Sequence, residues 1–287
     1  MEKESRAAAR ASRWAGALIL VGRALLLAPE AALLAALLCI YMASHAPGVA
    51  LLIVLLIIAF MVRAAALHLA RAAIERGRAG DAAALLKVAL AIYPCSADAL
   101  AMEGILALRS GAPALAEARL RRAIALLPGQ AAFHAALSGA LLELGRPAQA
   151  AQAAQAALAL DRRCAVAYLH LAEAERARGV PAHAIEGWLR EGMAAASGPA
   201  AEAVIRCALA AHLLAEQRIA EAMLTLHGAE ALLPRCPAPS QAALHVHLGD
   251  ILIAQGQVER AQEYFQSVEA LDPDGRYATA TWRIAQL

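Results

Sequence analysis

The sequence predicts an all-α chain in which an apolar helical hairpin precedes an α-solenoid of about six helix pairs. Three observations lead there. Ala and Leu dominate a composition that is 61% hydrophobic but only 4% aromatic, which favours helix over strand. The tripeptides Gly111-Ala112-Pro113, Gly145-Arg146-Pro147 and Gly179-Val180-Pro181 stand 34 residues apart. Residues 24–68 hold two apolar stretches separated by a Pro-Gly break.

The chain opens with a basic segment, residues 1–23, which carries Arg6, Arg10, Arg13 and Arg23 beside Trp14. The apolar arms Ala24 to Ala43 and Val49 to Leu67 then flank Ser44-His45-Ala46-Pro47-Gly48. Some 20 helical residues reach ~30 Å, the thickness of a hydrocarbon core, so residues 24–68 are expected to form a transmembrane or re-entrant hairpin. Glu30 lies 16 residues before Ala46 and Arg63 lies 17 after it, which sets both at one depth in an antiparallel hairpin. Either the two form a membrane ion pair near one surface, or each marks the interface. Arginines crowd both flanks while the tip carries no permanent charge, which places the N-terminus and the solenoid on the cytoplasmic side. Arg23 interrupts the early apolar run and argues against a cleaved signal peptide. No breaker separates Val49 from Arg76, so the second arm is expected to run on into the first solenoid helix.

In the solenoid, residues 63–275, each Gly-x-Pro reads as an elbow. Glycine takes the left-handed position that ends one helix, and proline sits in the first turn of the next. Units begin near Arg63, Ala97, Ala131, Ala165, Ala203 and Ala242. An alanine recurs in one slot of the second helix, at Ala82, Ala116, Ala150, Ala184, Ala222 and Ala261. Small residues there let paired helices approach closely, and Leu86, Leu120, Trp188, Leu226 and Phe265 fill the space four positions on. Pro94, Pro128, Pro234 and Pro273 stop the second helices.

This pattern resembles the tetratricopeptide repeat, a right-handed solenoid of 34-residue helix pairs, and the last unit fits best through Leu248-Gly249, Gly256, Ala261, Phe265 and Leu271-Asp272-Pro273. Glu191 stands where the fourth unit should carry a small residue, and Arg206 where the fifth should carry a large apolar one. Extra residues precede the fifth and sixth units. The resemblance implies a concave groove lined by the first helices. Carried onto this chain, its partner-binding positions are Ala101, Ile105, Leu108 and Arg109; Ala135, Gly139, Leu142 and Glu143; Leu169, Glu173 and Arg176; Val204, Cys207, Ala211 and Leu214; and Val246, Asp250 and Ile253. Such a trough suits an amphipathic helix or peptide, with a charged island at Glu143, Glu173, Arg176 and Asp250. Residues 276–287, with Tyr277, Trp282 and Leu287, read as a capping helix.

Little points to chemistry. The chain carries no nucleophile elbow, phosphate-cradling loop, H-E-x-x-H or carboxylate cluster, and Gly77-Arg78-Ala79-Gly80 reads as an inter-helix turn. Five cysteines form no C-x-x-C, and the closest histidines, His245 and His247, point to different helix faces. No cofactor, metal or enzymatic activity is therefore expected. A net charge of +2 gives no reason to invoke nucleic acid.

The function that follows is a scaffold at a membrane, a bacterial inner membrane by hairpin and composition, which holds protein partners during assembly of a membrane or envelope complex. A structural subunit packing through its hairpin is the alternative, and an enzyme or metal carrier a remoter one.

Overall fold

The structure, a computed structural model, describes residues 29–271, so the basic segment 1–23 and the capping helix 276–287 lie outside the described residues. Those described are helical apart from turns, with no strand among them. Helix α1 (Pro29–Ser44) turns back at His45 and Ala46, and α2 (Pro47–Glu75) begins with proline in its first turn. α2 runs 29 residues without a break. Its two halves differ. Up to Val62 it is exposed on almost every side, with Leu51 and Met61 each 61% accessible; beyond Arg63 it buries an alanine stripe, Ala66, Ala70 and Ala73.

That stripe packs on α3 (Ala79–Ile92) through Ala82, Leu86 and Ala89, and the same pairing recurs down the chain. The later pairs are α4 (Ala97–Arg109) with α5 (Pro113–Leu126), α6 (Ala131–Glu143) with α7 (Pro147–Leu160), and α8 (Ala165–Ala177) with α9 (Ala182–Ala195). α10 (Pro199–Ala215) pairs with α11 (Ile219–Glu230), and α12 (Ala238–Ala254) with α13 (Val258–Leu271). The extra residues before the fifth and sixth units extend α10 and α12 to 17 residues, against 13 in α4, α6 and α8.

One elbow geometry joins the helices of every pair. At Gly111, φ is +71°, its N–H donates to the Leu108 carbonyl at 3.1 Å, and the Ala112 N–H reaches the Ala107 carbonyl at 2.9 Å. These two bonds satisfy carbonyls that the helix end leaves free. The same pair of bonds forms at Gly77, Gly145, Gly179 and Gly256. In the fifth unit the left-handed residue is Gln217, with φ +61°.

The fourth unit departs from the sequence expectation by one residue. Pro113 and Pro147 sit inside their helices, whereas Pro181 stands outside α9 in extended conformation and caps it. The buried face of α9 is therefore Ile185, Leu189 and Gly192 rather than Ala184, Trp188 and Glu191. Trp188 is half-buried, and the small residue facing α8 is Gly192, where a Cβ would come within 2.8 Å of Tyr168 Cβ. Arg206, out of place in the family pattern, is accommodated by Gly228, where a Cβ would meet its guanidinium at 2.7 Å.

Charged links cross the outer seams. Glu117 on α5 accepts from Arg121 one turn on and from Arg146 at the next elbow, at 2.9 and 2.8 Å. Glu186 on α9 does the same with Arg190 and Arg218, at 2.7 and 2.6 Å.

Candidate partner-binding groove

First helices of successive units, α4, α6, α8, α10 and α12, pack against one another, while the second helices stay apart. That difference curves the stack and sets the first helices on its inner face.

The expected groove residues divide by burial. Ala101, Ala135, Gly139, Cys207 and Val246 are buried and form a packed floor, not a contact surface. The Cys207 thiol is pushed up to about 12 by its burial, which leaves it unreactive. Ile105, Leu108, Leu142, Leu169, Val204, Leu214, Asp250 and Ile253 are half-buried, and Arg109, Glu143, Glu173, Arg176 and Ala211 are exposed. The spacing i, i+3 puts two residues per helix on the inner stripe. Along it stand Ile105 and Leu108, Gly139 and Leu142, Glu173 and Arg176, Ala211 and Leu214, then Asp250 and Ile253.

Two expectations change in detail. Arg109 donates from Nη1 to the Ile74 carbonyl at 2.9 Å and so caps the end of α2 instead of facing the groove. The charged island is also smaller: α10, with Ala211 and Leu214, stands between Glu173 and Asp250. Asp250 instead lines a cleft of about 670 Å³ with Leu214, Ile219 and Met223. What remains is Glu143 on α6 with Glu173 and Arg176 on the adjacent α8. Glu173 is reached by solvent from one side, but the protein crowded around its carboxyl desolvates it and pushes it up, and the nearby Arg176 guanidinium only partly offsets this.

Sequence reasoning overlooked His170. Its ring fills the space over Gly139, where a Cβ would lie 2.9 Å from Cε1, and Leu108 closes in from the other side at 3.5 Å. Nδ1 stands 2.9 Å from the Ala135 carbonyl, so the ring pins α8 to α6. Burial pushes His170 below its ordinary value, against the smaller upward pull of the Ala135 hydrogen bond, and so favours the neutral ring. The signal was present in the glycine of α6 facing a bulky residue one unit on.

Arg63 holds protein contacts as well. Its guanidinium lies 5.1 Å from the centre of the Tyr93 ring, and Nη2 makes a long contact to Ser96 Oγ at 3.5 Å. The side chain of Glu30 lies outside the described residues. Among the described residues no group of three or more His, Cys, Asp or Glu side chains gathers as a metal site would require.

Residues 213–284 match the family model described as tetratricopeptide repeat. That stretch, which holds the last elbow and the last helix pair, is tetratricopeptide repeat. Solved repeat proteins share the chain's fold. One from Parabacteroides merdae is 18% identical over 78% of this chain and 83% of its own, with a TM-score of 0.58. A thermophilic one from Thermus thermophilus is 23% identical over 67% and 99%, with a TM-score of 0.53. PilW, a type IV pilus biogenesis factor, is 19% identical over 74% and 94%, also with a TM-score of 0.53. No curated protein sequence matches. Tetratricopeptide repeats bind protein partners, and the stacked helix pairs here offer an inner face.

Proposed function

We propose that this protein is a membrane-anchored tetratricopeptide-repeat scaffold that holds a protein partner in its groove and catalyses nothing itself. The observation that carries the reading is α2. A helix whose first half exposes Leu51, Leu52, Leu55, Ile58 and Met61 around its circumference is unsuited to water, and its second half is already part of the first repeat. The hairpin of α1 and α2 is the anchor, with Glu30 and Arg63 near one membrane surface and both chain ends on the cytoplasmic side. The partner is an amphipathic helix or peptide, whose apolar side meets Leu108, Leu142, Leu214 and Ile253. A polar residue facing Glu173 and Arg176 fixes its register. Anchoring confines the partner near the membrane, so modest groove affinity suffices. Assembly of a membrane or envelope complex is the setting, and PilW, a pilus biogenesis factor, supports it by sharing the fold.

The test is a pull-down of detergent-solubilised full chain against the Leu108→Arg plus Leu142→Arg variant. Loss of a specific partner from the variant is expected, with helical content and a cooperative thermal transition retained at a lower midpoint, since both leucines pack partly on the core. Equal recovery of every partner would remove the groove reading.

A further inference from the structure

Resting on the reading of α2 as a membrane span, we propose that the first repeat lies against the bilayer, with the C-terminal end of α3 and the loop after it seated in an anionic lipid surface. The argument starts from lengths. Pro47 to Val62, the charge-free part of α2, is 16 residues or ~24 Å long, less than the ~30 Å of a hydrocarbon core. Arg63 therefore stands at the lipid headgroups and not above them.

α3 runs back antiparallel to α2, so its last turn returns to that level. The Arg63 guanidinium over Tyr93 fixes the match, and the loop Tyr93-Pro94-Cys95-Ser96 lies beside it. The side chains there suit a lipid interface. Val88 and Ile92 are 45% and 36% exposed, Ala91 is exposed, and Tyr93 presents an amphipathic ring of the kind that headgroup regions favour. The other end of the same repeat, around Gly77, is charged through Arg76, Arg78 and Asp81. One helix pair thus grades from apolar at the bilayer to ionic away from it.

Charge agrees. Arg122 reaches this loop by donating from Nη2 to the Pro94 carbonyl at 3.3 Å, and exposed Lys87, in the second half of α3, adds a third cation to Arg63 and Arg122. Asp98, in the first turn of α4, opposes them. Net positive charge beside exposed aliphatic residues complements an anionic leaflet.

The full chain is reconstituted in phosphatidylcholine and phosphatidylglycerol vesicles with lipids brominated near the headgroup or at mid-chain. Tryptophan is introduced singly at Val54, Val88, Ile92 and Gly80, and the emission of the parent chain is subtracted. Gly80 has open space around it, and the other positions are exposed, so each variant should fold. Mid-chain bromine should remove most of the Val54→Trp emission and shallow bromine most of that from Ile92→Trp and Val88→Trp, with Gly80→Trp unaffected. Quenching at Val54→Trp but at neither α3 position overturns the seating and leaves the span intact. Blue-shifted but unquenched emission at position 92 overturns it too, since protein, a second copy included, would then cover this face. An unquenched Val54→Trp overturns the membrane reading itself.

Discussion

The Arg146 guanidinium and the Glu117 carboxylate meet at 2.8 Å across the seam between the second and third repeats, and the contact is built from the elbow. Arg146 is the residue after left-handed Gly145 and caps α7, so the turn that reverses the chain also aims a cation at the previous unit. Arg218 does likewise after Gln217 and reaches Glu186. The Arg146 side chain is 40% exposed, so solvent screens much of the attraction. Arg146→Ala is expected to cost only about 0.5 kcal/mol, and a double-mutant cycle with Glu117→Gln in urea denaturation should return a coupling of the same size.

Acid should weaken these seams. Burial pushes Glu117 up, but the hydrogen-bonded Arg121 and the charge of Arg146 outweigh it and hold the carboxyl below the usual range. Bonds from Arg218 and then Arg190 hold Glu186 low against its burial. A carboxyl that is more acidic folded than unfolded contributes stability that is whole above the unfolded value, about 4.3. That contribution is lost as pH falls through the folded value. The Glu117→Gln plus Glu186→Gln variant should therefore lose less stability than the parent between pH 5 and 3, read as a shallower fall in unfolding midpoint.

Gln217 occupies a backbone conformation that glycine adopts at the other five elbows. Left-handed φ costs a residue with a Cβ roughly 1 kcal/mol. Gln217→Gly is expected to raise stability by about 0.5–1 kcal/mol, part of the relief being returned as unfolded-chain entropy. Gly145→Ala should move the unfolding midpoint the other way.

Two glycines of α9 should respond oppositely to alanine. A Cβ at Gly192 would crowd Tyr168 Cβ at 2.8 Å, whereas Gly187 has nothing within 4 Å. Gly192→Ala is expected to destabilise by about 1–3 kcal/mol through overpacking. Gly187→Ala should stabilise by about 0.5–1 kcal/mol through helix propensity. If α9 instead buried Ala184, Trp188 and Glu191, the penalty at Gly192 would vanish, so thermal unfolding of the pair checks the register directly.

The elbows were legible because glycine and proline act on the backbone locally, whatever packs around them. The fifth was the exception, since neither Gln217 nor Ile219 announces a turn. The shifted register of α9 was hidden for a different reason. Gly179-Val180-Pro181 is the same local signal as its two predecessors, and the choice is made by tertiary burial. Starting α9 one residue later buries Ile185, Leu189 and Gly192 and spares the Glu191 carboxylate a costly desolvation. The inner stripe of first-helix positions was legible from its i, i+3 spacing. Which of them are open was not, because accessibility depends on the neighbouring unit. Cys207 and Val246 disappear under adjacent helices, and Arg109 turns away to the end of α2.

α2 is both pillar and first rung, and this fixes the bearing of everything mounted on it. One residue inserted or removed between Phe60 and Arg63 would swing the whole body about the pillar by about 100° and point its hollow side along a different compass heading. On the proposed reading of α2 as a membrane span, the phase of that helix decides which neighbour in the membrane plane the body looks toward.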